Sequence, residues 1–221
     1  MGDRNDMLRD IRWETTLTRG YIGKDALDER VMAAMAEVPR EAFVPGGLRH
    51  CAFDNGPLPI GHGQTISQPF IVALMTDLLG PEPDDVILEI GCGSGYQAAI
   101  LSRLVKQVYS LEIVPTLAAE AARRLEKLGY TNVEVRCADG YPGLTEHAPY
   151  DGILVAAAAP MVPSALVEQL KSGARLIIPV GNPGWAQELK LIEKRADGGI
   201  GERDVLGVSF VPLTGPHVGP D

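Results

Sequence analysis

The rhythm of apolar and polar positions changes near residue 80. Before it, Leu27, Val31, Met32, Met35 and Val38 recur at helical spacing and predict an amphipathic helix over 25–38. Pro39 and the run Pro45-Gly46-Gly47 end it. Residues 53–68, rich in Gly and Pro, read as a loop. Proline suits a first helical turn, where its missing N–H has no partner to lose. Pro69 therefore opens a second helix over 69–79, with Ile71, Val72, Met75, Leu78 and Leu79 as its apolar face.

After residue 80 short apolar runs alternate with helical stretches. Strands are expected at 86–90, 108–111, 133–137, 153–157 and 176–180, and helices at 95–104, 116–128 and 163–170. Lys171 and Gly173 are the stop signals of the last helix. Strand, helix, strand repeated this way predicts an α/β fold with a doubly wound, mainly parallel sheet behind N-terminal helices. The stretches 188–194 and 205–212 alternate with no helix between them and read as an antiparallel pair at the sheet edge. Residues 215–221 read as a loose tail.

The chain's 221 residues suit one domain, with 1–80 as a helical and substrate-loop region and 81–214 as the sheet. Its composition is that of an ordinary globular protein, so disorder is excluded. The formal net charge of −9 argues against nucleic acid as a partner. No apolar run reaches membrane-spanning length, and the polar start Gly2-Asp3-Arg4 leads into no signal-peptide core. A cytoplasmic monomer without membrane contact is expected. Cys51, Cys92 and Cys137 show neither CxxC spacing nor a pairing pattern, and no metal site is expected.

Chemistry enters with Glu89-Ile90-Gly91-Cys92-Gly93-Ser94-Gly95, which leaves the first strand of the sheet for a helix. Ligands of parallel sheets bind beyond the strands' carboxyl ends, where glycines permit close backbone approach. The bland alternative is a tight turn with no ligand. The spacing G-x-G-x-G is one residue shorter than the NAD fingerprint, and no lysine follows as in a phosphate-binding loop. The centre of the pentapeptide is Gly93, so Ser94 is not a hydrolase nucleophile. No basic residue answers a phosphate, and Glu89 lies alongside. A cationic ligand such as S-adenosylmethionine fits better. Glu112, closing the next strand, can accept from both ribose hydroxyls, and Asp139, closing the third, from an adenine amino group. A solvated charge at Glu112 and an ordinary Asp139-Gly140 turn are the plainer alternatives.

The stretch Gln64-Thr65-Ile66-Ser67-Gln68-Pro69 is more specific. With Pro57–Gly63, Leu88–Gly91, Gly93-Ser94-Gly95-Tyr96-Gln97-Ala98-Ala99 and Val211-Pro212-Leu213-Thr214, it resembles the protein-L-isoaspartate O-methyltransferases from about Asp25 to Thr214. The resemblance implies a Rossmann-like methyltransferase fold. It also implies methyl transfer from S-adenosyl-L-methionine, leaving S-adenosyl-L-homocysteine, to the free carboxylate of isoaspartyl residues in damaged peptides and proteins. The ester then closes to a succinimide. Ser67 maps onto the family's active-site serine. Gln64, Thr65, Ile66, Ser67, Val72, Glu112, Asp139, Gly140 and Thr214 map onto its cofactor contacts, beside Glu89, Gly91, Cys92, Gly93 and Ser94 of the glycine loop. Cys92 and Ala138 depart from the family's usual Thr and Gly.

An isoaspartyl carboxyl should ionise near pH 3.5–4, roughly as other free carboxyls do. At neutral pH it is an anion and needs no general base. Alignment and water exclusion remain as the protein's task, which accounts for the lack of a Ser-His-Asp constellation. Ser67 precedes the helix opened by Pro69, whose free N–H groups suit a carboxylate; a plain helix-capping serine is the alternative. His62 reads as a loop residue near the substrate entrance, and the neighbours His50 and Cys51 have nothing else to support a nucleophilic pair. Gln187 is a candidate contact for the substrate backbone or equally a polar loop residue, and Trp13 and Trp185 fit either cleft or core. Two rival readings stay open: a methyltransferase for another carboxylate or small molecule, and a binding module without turnover.

Overall fold

The computed structural model describes residues 2–182 and 184–216. The outer part of the expected tail, 217–221, lies outside them. The first element, α1 (Arg4–Ile22), opens on a capping box in which Asp3 and Asp6 satisfy each other's backbone N–H. It ends at Gly23 in the left-handed conformation. Then come α2 (Glu29–Glu37), the strands β1 (Leu58–Gly61) and β2 (Gln64–Ile66), and α3 (Pro69–Leu79).

The hairpin of β1 and β2 lies where the pattern predicted only loop. Leu58 faces Ile66, and His62, at φ +54°, sits in the turn between them. The helix α3 has the expected bounds and is buried nearly all round, as helical packing in a core demands. Ile71 is the exception on its expected apolar face: it is half-buried and turned toward a cleft described below.

The remaining elements are β3 (Val86–Ile90), α4 (Tyr96–Ser102), β4 (Gln107–Glu112), α5 (Pro115–Lys127), β5 (Val133–Cys137), β6 (Tyr150–Val155), α6 (Ser164–Glu168), β7 (Leu170–Val180), β8 (Gln187–Lys194) and β9 (Ile200–Val208). They form one seven-stranded sheet in the order β5-β4-β3-β6-β7-β8-β9. The pairs from β5 to β7 are parallel; β8 and β9 are antiparallel. The chain winds outward from β3 to β5 and then returns to β6 on β3's other side. That reversal marks the crevice where ligands bind in such sheets. Buried strands contribute to both faces: Ile87 packs under α3 and α4, while its neighbour Leu88 faces α6. α6 is shorter than expected, because Lys171 and Gly173 belong to a long β7. β9 begins at Ile200 rather than near residue 205.

Candidate active site

The loop after β3 takes the shape its glycines allow: Gly91, Gly93 and Gly95 have φ of +88°, +52° and +87°, a region costly for L side chains. The N–H groups of Gly91 and Cys92 both donate to the Leu111 carbonyl at 2.9 and 3.1 Å, tying the loop to β4. At the end of β4, Glu112 is nearly buried. Its two oxygens accept from Gly93 N–H at 2.7 Å and Val114 N–H at 2.9 Å. Those bonds orient the carboxylate and leave each oxygen a further lone pair.

A cavity opens between the loop, Glu112, Gly140, Thr214 and the β2 residues Gln64 and Thr65. Its walls are mostly apolar, with a few convergent polar groups, the usual make-up of a small-molecule site. No Lys, Arg or His is among its described lining residues. A polyphosphate would therefore meet no cation here, as the loop spacing implied. Gly140 packs so tightly that a Cβ there would overlap Ile90 Cγ2. Asp139 is half-buried beside this wall, its Oδ1 accepting from Tyr141 N–H at 2.9 Å, with Gly215 directly against its carboxylate.

A second, smaller recess lies against the loop's other side. Ile66, Ser67 and Val72 line it together with Gly91, Cys92, Gly93 and Ser94. Beyond Ser67 an outer cleft runs between α1, α3 and the end of β9, past Glu14, Phe70, Gln187 and Phe210. Thr65 and Ala156 border all three hollows. Ser67 borders the recess and the cleft, and its hydroxyl has no partner among the described residues. The N-cap of α3 is Gln68, which removes the reading of Ser67 as that helix's capping side chain.

Several expectations are revised by the surroundings. Glu89 lies beneath the loop, wholly buried, and borders none of these hollows. Ser110 donates to its Oε2, and burial pushes its carboxyl up to about 8. It presents no open negative wall to a cation. Cys92 is inert by burial, which holds its thiol well above the usual range. Ser94 Oγ accepts from Tyr96 N–H at 3.3 Å within the turn. The Gln187 amide is tied to Phe210, donating to its carbonyl at 3.1 Å and accepting from its N–H at 2.6 Å, and so holds the end of β9 along the cleft wall. His62 Nε2 lies 2.9 Å from Thr116 Oγ1, placing the hairpin tip against α5 beside the cofactor cavity. Trp13 and Trp185 are outside the core, 64% and 81% exposed.

Two groups escaped the sequence reading. Glu14 stands in the outer cleft with Asn55 Nδ2 at 2.7 Å and Gln68 Nε2 at 2.9 Å donating to it; burial raises its carboxyl above the usual range. Arg40, beside the helix-ending Pro39, is completely buried. Among the described residues no group of His, Cys, Asp and Glu is arranged to hold a metal ion.

The sheet order and the loop after β3 define a Rossmann-like methyltransferase fold. The chain belongs to the family described as Protein-L-isoaspartate(D-aspartate) O-methyltransferase, whose profile matches residues 16–217. It is 58% identical over 220 residues to protein-L-isoaspartate O-methyltransferase 2 of Nitrosococcus oceani, covering 100% of both chains. A second relative of that name, from Syntrophobacter fumaroxidans, is 56% identical over 97% of this chain and 87% of its own. A solved protein-L-isoaspartate O-methyltransferase superposes with a TM-score of 0.85 at 29% identity, over 98% of this chain and 67% of that one. A Plasmodium falciparum beta-aspartate methyltransferase in complex with S-adenosyl-L-homocysteine gives 0.76 at 25% identity, over 97% and 99%.

Proposed function

We propose that the protein transfers a methyl group from S-adenosyl-L-methionine to the free carboxylate of L-isoaspartyl residues in damaged peptides and proteins, opening their repair through a succinimide. One observation carries the site assignment: Ser67 stands where the glycine-loop recess meets the outer cleft. The cofactor, when bound, supplies a methyl group already activated by its sulfonium. Glu112 is assigned to the ribose hydroxyls and Asp139, with Gly140, to the adenine. Gln64, Thr65, Ile66, Val72 and Thr214 complete the walls with Gly91, Cys92, Gly93 and Ser94. Glu89 acts through the loop it supports. Ser67 Oγ–H donates to the substrate carboxylate and orients one oxygen toward the methyl position. No side chain has to move a proton, because the carboxylate arrives ionised.

The two regions are read as one working unit, 1–80 supplying the substrate side and 81–214 the cofactor side. We further propose a cytoplasmic monomer with no nucleic-acid partner. The net charge of −9 supports the last point, and no helix among the described residues is long and apolar enough to cross a membrane.

Incubation with an isoaspartyl peptide and its Asp twin tests the reading. Base-stable cofactor turnover with neither peptide esterified, or equal esterification of both, overturns it. In Ser67→Ala, transfer is expected to fall about 10- to 100-fold, the worth of one hydrogen bond to a charged group. Unchanged turnover by the folded variant removes Ser67 from the mechanism.

A further inference from the structure

Arg40 is the largest fully buried side chain, and no carboxylate pairs with it among the described residues. Its Nε donates to the Ala52 carbonyl and its Nη2 to the Ser67 carbonyl, both at 2.8 Å. Its Nη1 meets no hydrogen-bond acceptor in good geometry among the described residues. The guanidinium lies 4.8 Å from the centre of the Tyr96 ring, a cation–π contact. Tyr96 is the first residue of α4, directly after Gly95, and it lines the recess that Ser67 also lines. Phe43 closes against the same ring edge-on, with centroids 5.5 Å apart.

A buried charge without an opposite charge is costly, and an apolar side chain of similar volume would fill the space at lower cost. What a guanidinium adds is geometry: a rigid fork with a flat face that stacks on an aromatic ring. Here one arm of the fork holds the Ser67 carbonyl, Nε holds the Ala52 carbonyl, and the guanidinium carbon lies over the Tyr96 ring at the start of α4. With its carbonyl pinned inward, Ser67 keeps its hydroxyl on the side of the recess.

We propose that Arg40 is a positioning residue for methyl transfer, fixing the spacing between the Ser67 hydroxyl and the glycine loop. This rests on the assignment of Ser67 made above. Arg40 touches neither substrate nor cofactor; it acts through Ser67.

The test is a double-mutant cycle with Arg40→Lys and Ser67→Ala, using an isoaspartyl peptide. Lysine keeps the charge and loses the fork. Arg40→Lys is expected to lower kcat about tenfold in the wild-type background and less than about threefold in Ser67→Ala, the mark of residues acting as one unit. Its affinity for S-adenosyl-L-homocysteine, by calorimetry, is expected to stay within about twofold of wild type. In cofactor-free protein, amide exchange at residues 66–68 is expected to quicken while that inside α3 does not change. Equal kcat losses in both backgrounds, or a loss of homocysteine affinity matching the loss of kcat, overturn the proposal. If Arg40→Lys does not fold, Arg40→Gln, which keeps planar N–H donors without the charge, takes its place in the cycle. Wild-type transfer is the control. Its absence defeats the functional reading, whereas wild-type transfer with an additive cycle defeats only the role of Arg40.

Discussion

Replacing Glu112 by alanine is expected to weaken S-adenosyl-L-homocysteine binding by roughly 100- to 10,000-fold. Two hydrogen bonds from ribose hydroxyls to a carboxylate contribute about 1.5–3 kcal/mol each, and about 1.4 kcal/mol is a factor of ten. The loop contributes a second loss. Gly93 and Val114 each donate an N–H to Glu112, and alanine leaves both without that acceptor. Glu112→Gln separates the effects, since its amide carbonyl can serve only one of the two N–H groups while its NH₂ opposes the other. It is expected to fall between wild type and alanine. Calorimetry with the homocysteine product measures both variants. An alanine variant that binds within tenfold of wild type means that the ribose is held elsewhere.

Glu89→Gln is expected to change how stability depends on pH. In the folded protein burial holds the Glu89 carboxyl up to about 8, against an ordinary value of 4.5. Below 4.5 both folded and unfolded chains carry its proton, and it contributes no pH dependence. Between the two values the unfolded chain has released a proton that the folded one retains, so stability falls as pH rises. Above 8 both are ionised and the loss is complete, on the order of 5 kcal/mol. Glutamine can accept from Ser110 as Glu89 Oε2 does, and it cannot ionise. The stability of the variant relative to wild type should therefore climb between pH 5 and 8, as read from denaturant unfolding at several pH values. A difference that stays flat over that range would mean that Glu89 ionises normally in the fold.

The pattern of residues made the central sheet legible because buried parallel strands are short continuous apolar runs. β3 has the expected bounds, and so does α3; β5, an edge strand reading Val133-Glu134-Val135-Arg136-Cys137, was legible instead by its alternation. Elements half in contact with solvent were less legible. The inward face of α1 runs Met7, Ile11, Thr15, Ile22, with a threonine in the stripe, while Trp13, Leu17 and Tyr21 lie exposed on another side. Its period is blurred in both directions. β1 carries Pro59 and Gly61, and Gly63 follows in the turn, so the hairpin reads as loop until Leu58 and Ile66 are seen to pair. β9 opens on Ile200-Gly201-Glu202-Arg203-Asp204, too polar to alternate.

The site divides in the same way. Ser67, Glu112 and the glycine loop announce themselves by motif and by position at strand ends. Arg40 does not, because a charged residue after Pro39 looks solvated, and its burial depends on Ala52, Ser67 and Tyr96, all distant in sequence. Gln187 is a partial case: it lies in the cleft as its place after β7 suggested, but its partner Phe210, 23 residues away, was not legible.

β9 ends the sheet, and its outer side is where another strand would add. Exposed backbone of this kind is a template for lateral aggregation. Glu202, Arg203 and Asp204 crowd that strand with charge, Lys190 of β8 answering Glu202 and Asp204 at 2.6 Å and Arg203 reaching back to the Ile22 carbonyl of α1. A strand adding beside β9 would have to bury or displace these charges, which disfavours lateral association through that edge.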